Sequence, residues 1–303
     1  SRELPVGERV IDNSSRDNLH IDDQRGIVGR DDYLAHIISY GEKCVIYVNS
    51  REQSVGVARR LRARLPQLAP MIGFYNAGLS RDERSRVESL FRKGEIRTLV
   101  ATSAFGEGVD VPDIRHVVLY HMPFSHIEFN QMAGRAGRDG GEAIVHLLYG
   151  KQDVSINTGI LEEIAPNRDV MAQVYRHLRK LQRQVAAQHF TIDPQELAEG
   201  ASSRMHSVSE QAAECAIAVF RELGLIECVG NAATQYGVGA KRISVRVIDG
   251  ADKVELTDSV RYREGLEEMA SFKLFRDWAM RSDIHSLTVR VTHPISPGID
   301  GII

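Results

Sequence analysis

The sequence predicts an α/β fold with a parallel sheet, followed by a smaller α+β unit, and two observations predict it. Between residues 31 and 150, apolar runs of strand length alternate with helical patterns, the signature of a parallel sheet with helices on both faces. Between 169 and 250, three helical patterns precede two strand patterns around a glycine-containing loop, which is the order of a winged helix. The texture changes after Gly150. The predicted division is therefore 1–30 as an opening strand or linker, 31–150 as the first domain and 151–168 as a connector. The winged-helix-like domain follows at 169–250, and 251–303 is a helical extension and tail.

Each element has its own signal. Asp31 to Tyr40 reads as a short amphipathic helix with Tyr33, Leu34, Ile37 and Ile38 on one side. Lys43 to Asn49 is a partly β-branched apolar run, a strand buried on both faces. Ser50 to Leu65 is a helix with Val55, Ala58, Leu61 and Leu65 as its stripe. Met71 to Tyr75 is the second strand. Ser80-Arg-Asp-Glu83 fits a capping box, opening a helix that Gly94 ends. Thr98–Ala101, His116–Tyr120 and Ala143–Leu148 are the remaining strands. Beyond the connector, Asp169 to Gln188 is a long polar helix striped by Val170, Val174, Leu178, Leu181 and Val185. Asp193 caps a short helix with Pro194 in its first turn. Ser207-Val-Ser-Glu210 fits a second capping box, and Gly224 ends that helix. Leu225–Val229 and Arg242–Ile248 are the strands of a hairpin. Residues 257–281 form a further helix with the only tryptophan, Trp278, and Leu287 to Thr292 is a strand pattern in the tail.

Composition narrows the function. The chain has 303 residues, 43% hydrophobic and 26% charged, which is ordinary for a soluble globular protein of two or three domains. A net charge of -3 excludes a wholesale nucleic-acid coat, so any such surface must come from local arginine clusters. No apolar run approaches the roughly 18 residues of a membrane span, and no membrane role is expected. The first residues carry no signal-peptide pattern and no initiator methionine, which predicts a piece of a longer, cytoplasmic protein. Cys44, Cys215 and Cys228 are widely spaced without a Cys-x-x-Cys pair, so no thiolate zinc site is expected. The histidines show no metal-ligand spacing, and no metal site is predicted.

Four segments carry chemistry. Gln131-Met-Ala-Gly-Arg-Ala-Gly-Arg-Asp-Gly140 sets Arg135 and Arg138 three residues apart, each directly after a glycine. Arginine presents a planar, always charged fork of donors that suits triphosphate oxygens, and Gly134 with its small neighbours leaves room for a phosphate. Thr98 to Pro112 follows a strand with Thr102, Gly106, Gly108 and Asp110. The glycines let backbone amides approach a ligand. Asp110 either accepts from ribose hydroxyls or caps the turn before Val111-Pro112, and Thr102 either holds a phosphate or is a solvated hydroxyl. Val45 to Arg51 ends in Asn49, Ser50 and Arg51, a second backbone-gripping turn in which Asn49 could equally cap the next helix. The fourth segment is Phe74-Tyr-Asn-Ala-Gly-Leu79. Farther along, Lys241 and Arg242 stand beside a flexible loop with Tyr236, a basic wing that would grip phosphates or serve as a plain structural hairpin.

In order and spacing, these segments over roughly residues 15–150 resemble motifs IV to VI of superfamily 2 helicases, closest to the RecQ-like branch. The resemblance implies the second RecA-like motor lobe of an ATP-dependent DNA helicase of repair or recombination. It implies that Arg135 and Arg138 face the γ-phosphate of ATP with Gln131 near it, and that Asp110 meets the ribose. Gly-x-x-x-x-Gly-Lys-Ser/Thr and Asp-Glu-x-His or Asp-Glu-x-Asp patterns do not occur in the chain. ATP and Mg2+ would therefore be held mainly by a first lobe elsewhere in the same parent chain, and this chain alone would be inactive. The expected polymer is DNA, single-stranded or forked. The cysteine cluster that RecQ proteins often carry after this lobe does not occur, and a RecQ-like motor fused to another activity fits equally well. Two other readings stand beside this one: a catalytically inactive nucleic-acid-binding or protein-docking module, and an RNA-directed motor of the same superfamily.

Overall fold

The computed structural model describes residues 15–106, 110–185, 189–204, 206–229, 242–249 and 254–293. The chain forms two compact units. One comprises the residues up to Val154 together with those from Phe275 onward, and the other is Ser155–Leu274. No helix among the described residues is long and apolar enough to cross a membrane.

The first unit is built on six parallel strands: β1 (Leu19–Asp23), β2 (Cys44–Tyr47), β3 (Ile72–Tyr75), β4 (Thr98–Ala101), β5 (His116–Leu119) and β6 (Ala143–Leu147). Their order across the sheet is β1-β6-β5-β2-β4-β3. The opening segment thus supplies an edge strand. Parallel strands covered on both faces have no solvent side, which is why β2, β4 and β5 are buried at every position. Cys44, Ile46 and Val48 pack with Leu34, Ile37 and Ile38 of α1 (Arg30–Ser39) and with Val57, Ala58 and Leu61 of α2 (Arg51–Arg64). Val57 rather than Val55 is the buried valine of α2. The capping box of Ser80 and Glu83 opens α3 (Arg81–Lys93) as expected, and Gly94 closes it with φ 77°. Then come α4 (His126–Ala133) and α5 (Lys151–Ile164).

α5 corrects the expected connector at 151–168. Its buried positions include Asp153, Asn157 and Leu161, while Ile156 and Ile164 are exposed. Polar residues occupy the stripe that apolar ones normally mark, so the helical period was hidden.

The second unit begins with α6 (Arg168–Gln184), capped by Asn167. β7 (Phe190–Ile192), α7 (Pro194–Ala201), α8 (Glu210–Glu222), β8 (Ile226–Val229) and β9 (Ile243–Val247) follow. The antiparallel sheet has the order β7-β9-β8, and with it the winged-helix order is complete. β7 alternates buried, exposed and buried over Phe190, Thr191 and Ile192, and three residues are too short a run to mark a strand in sequence. Asp193 caps α7 as predicted. α8 is capped by Ser209, whose side chain accepts from the Ala212 amide, and not by a box at Ser207. α6 and α8 enclose a core of Val174, Leu178, Ala213, Ala216 and Phe220.

The division between the units falls inside α9 (Val260–Arg281), and α10 (Ile284–Thr292) belongs to the first unit. The strand expected at Leu287–Thr292 is therefore a helix. Asp283 caps it through the Ser286 amide (2.8 Å), and Leu287 and Val291, four residues apart, are buried. β-branched residues suggested a strand, but the cap and the i, i+4 spacing prevail.

A buried polar chain crosses β1, β6 and β5. The Tyr33 hydroxyl donates to Asp22, His146 bridges Tyr33 through Nδ1 (2.7 Å) and His116 through Nε2 (3.0 Å), and His116 Nε2–H donates to the Glu42 carboxylate (3.0 Å). Burial holds the His146 pKa down to about 4, with the neighbouring His116 adding to the effect. An unfolded histidine binds its proton near pH 6.5, so the unfolded state takes up more protons below that pH. Stability is therefore expected to fall from pH 6.5 to about pH 4, by on the order of 3 kcal/mol. Urea unfolding at pH 7.5 and 4.5 checks this: the difference should shrink in His146→Gln, and an equal difference in both proteins contradicts it.

Candidate functional site

The strands' carboxyl ends gather two groups of residues. β2 and β4 are neighbours with Tyr47 opposite Ala101, so the turns that follow them lie side by side. In the first group, Ser50 caps α2 by accepting from the Gln53 amide (3.1 Å). Asn49 is therefore not the cap of α2. Its side-chain amide instead donates to the Met122 carbonyl (3.0 Å), and its backbone N–H donates to His121 Nδ1 (3.1 Å). Arg51 opens α2 and is exposed. Thr102 directly follows β4, half-buried, with its N–H donated to the Tyr75 carbonyl (3.1 Å). Asn76, buried, accepts from the Gly78 N–H (2.8 Å) and donates to Ser54 (2.9 Å). Arg51, Asn76 and Gly78 line one open groove with Arg59 and Phe74.

The second group surrounds the turn after α4. Gly134 is the C-cap of α4, and a Cβ there would lie 2.8 Å from the Asn130 carbonyl oxygen. Arg135 folds back and donates to the Gly106 carbonyl. Gly106 has φ 153°, and a Cβ on it would meet Arg135 Nη2 at 2.7 Å. Arg138 donates to the Gly134 carbonyl (3.2 Å) and stands 3.4 Å from the Asp110 carboxylate, which is exposed. Gln131 is exposed on α4 and makes no side-chain hydrogen bond among the described residues. Gly108 and Lys241 lie outside the described residues, as does Tyr236, and Arg242 is exposed just before β9.

Several supporting residues escaped the sequence reading. Arg16 donates to the carbonyls of Gly134 (3.0 Å) and Ala136 (2.5 Å), while its own N–H is held by the Thr292 carbonyl of α10 (2.9 Å). Asn18 donates to the carbonyls of Gly137 and Gly141 (both 2.8 Å). Arg115 binds both carboxylate oxygens of Asp139, lowering the Asp139 pKa to about 2 through that hydrogen bond and a second from the Gly141 amide. None of these partners is near the turn in sequence, and no local pattern marks them.

Burial and the charge of Arg138 push the pKa of both Arg16 and Arg135 down. Three guanidinium groups thus meet at one turn, and Arg138 stands near the Asp110 carboxylate. Among the described residues, no group of three His, Cys, Asp or Glu side chains is placed to hold a metal ion.

The turn is also sterically tight. Gly137 has φ 52°, and a Cβ there would lie 2.6 Å from both Asn18 Nδ2 and the Gly141 carbonyl oxygen. Gly137→Ala is expected to destabilise the first unit by about 2 kcal/mol. Chemical denaturation of the full chain checks this, and a loss below about 0.5 kcal/mol would show that the turn has slack.

Residues 29–140 match the family model described as the helicase conserved C-terminal domain. Over these residues the chain carries this domain and is similar to the second RecA-like lobe of superfamily 2 helicases of the RecQ-like branch. The lobe's relatives include the ATP-dependent DNA helicase Q1 of Rattus norvegicus, 29% identical over 58% of this chain and 29% of that protein. The probable ATP-dependent DNA helicase RecS of Bacillus subtilis is 31% identical over 45% of this chain and 27% of its own length. The human ATP-dependent DNA helicase Q4 is 37% identical over 37% of this chain and 10% of its own length. The chain thus spans less than a third of each of these relatives.

Proposed function

We propose that this chain is the second motor lobe and winged-helix-like domain of an ATP-dependent DNA helicase or translocase of repair or recombination. The observation that carries the reading is the pairing of the arginine turn with the loop after β4, Arg135 on the Gly106 carbonyl and Arg138 beside Asp110. In the parent protein, Arg135 and Arg138 face the γ-phosphate of ATP and stabilise the charge that develops on it as the bond to the β-phosphate breaks. ATP and Mg2+ are held mainly by a first lobe elsewhere in the parent. Asp110 accepts from the ribose hydroxyls, Gly106, Gly108 and Gly134 admit the nucleotide, and Gln131 stands near the transferring group.

Asn49, Ser50, Arg51 and Thr102 grip successive DNA phosphates, and Lys241 with Arg242 adds a contact from the wing. One short loop links the two tasks. Thr102 and Gly106 are four residues apart, and between them Phe105 is buried against Tyr75 and Phe91 with its carbonyl accepting from Tyr47 (3.2 Å). A shift of Gly106 with Arg135 is therefore transmitted to Thr102 through a packed anchor.

Steady-state ATP turnover of the parent protein tests the reading. Single-stranded DNA should stimulate turnover strongly. Stimulation by RNA alone would make the protein an RNA motor, and no turnover with either polymer would make it a binding module.

A further inference from the structure

The second unit carries a cationic groove away from the helix that a winged helix ordinarily offers to DNA. α8 is poorly suited to phosphates, because Glu210, Glu214 and Glu222 outnumber Arg221. On the hairpin, Arg246 is neutralised by Glu227 on the opposite strand (2.6 Å). α6 differs. Gln173, Arg176, His177 and Lys180 share one face at i, i+3, i+4 and i+7, and line a groove whose far wall is the turn after α7.

Two hydrogen bonds tie Ser203 to His206 in that turn. Ser203 N–H donates to the His206 carbonyl (2.9 Å), and His206 N–H donates to Ser203 Oγ (3.2 Å), so Arg204 is presented at its tip. Gly200 permits the close approach of the two walls, since a Cβ there would lie 2.3 Å from His177 Nε2. Arg179 is taken up by Asp249. Lys180 and Arg204 have no carboxylate partner among the described residues. Glu199, beside Gly200, accepts from Gln195 (3.1 Å) and does not line the groove. Arg176 and Lys180 lie one turn apart on the helix, and Arg176 Nε donates to the Ala172 carbonyl (3.1 Å).

We infer that the groove between α6 and the 202–206 turn binds the phosphodiester backbone of DNA, with Arg176, Lys180 and Arg204 contacting phosphates. The inference rests on the helicase reading only for the choice of polymer. It makes α6, and not α8, the DNA-facing helix of this unit.

The test is fluorescence anisotropy of the full chain with a labelled single strand and with a labelled duplex, across a salt series. In Lys180→Glu/Arg204→Glu, affinity for at least one probe should fall about tenfold, and its salt slope should drop by about two. The probe that loses affinity identifies the form of DNA. Lys180→Arg/Arg204→Lys should retain binding, and Glu210→Gln/Glu214→Gln on α8 should change it less than twofold. Unchanged affinity and slope for both probes, in a variant with unaltered thermal unfolding, overturns the inference. The binding assay needs no ATP, so it can succeed in a protein that lacks ATP turnover and fail in one that has it.

Discussion

In the parent protein, Arg138→Ala lowers DNA-stimulated ATP turnover by about 10³-fold or more while leaving affinity for single-stranded DNA within about twofold. The magnitude follows from what a guanidinium does at a transferring phosphoryl group, where a single arginine contributes 10³ to 10⁵ in rate. The direction follows from its surroundings. Arg138 is partly exposed, and its contact with Asp110 is long at 3.4 Å, so no strong native bond holds it. Its removal costs the fold little, because the turn is pinned by Arg16, Asn18 and the Arg115–Asp139 pair instead. Arg135→Ala is a less clean variant, since Arg135 also closes the Gly106 loop. Steady-state ATPase and a melting curve of each variant separate the two effects. Loss of folding in Arg138→Ala would remove its assignment to chemistry.

Asp153→Ala should destabilise the first unit by about 3–5 kcal/mol, the cost of leaving a buried charge without its partner. The Asp153 side chain is only 2% exposed and receives both ends of the Arg30 guanidinium, at 2.6 and 3.2 Å. It also accepts the Gly150 N–H (2.7 Å) and lies 4.0 Å from His121. Arg30 has one other carbonyl, that of Tyr120 (3.0 Å), and lies over the Tyr120 ring. His121 is the acceptor for the Asn49 N–H, so the pair also supports the turn proposed to grip DNA. Urea denaturation of Asp153→Ala and Asp153→Asn checks this. A loss under 1 kcal/mol in both would mean that water replaces the carboxylate without cost.

The comparison of sequence with structure divides along physical lines. The sheet was legible because strands buried on both faces must be apolar runs and the helices between them carry caps such as Ser80. The arginine turn was legible because its chemistry is local: two arginines, each with a glycine before it. The support of that turn was not. Arg16 acts across more than a hundred residues through backbone carbonyls, which leave no mark in sequence. α5 was hidden because its buried stripe includes Asp153 and Asn157, and α10 because its β-branched residues imitate a strand. Asn49 was the cap the sequence offered for α2, and the geometry assigns the cap to Ser50 instead. The basic face of the second unit was missed for a related reason. Its two walls, α6 and the turn at Arg204, come together only in the fold.

The most direct test of the central claim is single-turnover ATP hydrolysis by the parent protein with single-stranded DNA, wild type against Arg138→Ala, with ATP affinity measured alongside. If this lobe supplies the arginine that stabilises the transferring phosphoryl group, the rate of bond cleavage falls about 10³-fold or more while ATP binding weakens far less. Cleavage at the wild-type rate in a folded Arg138→Ala protein would contradict the account.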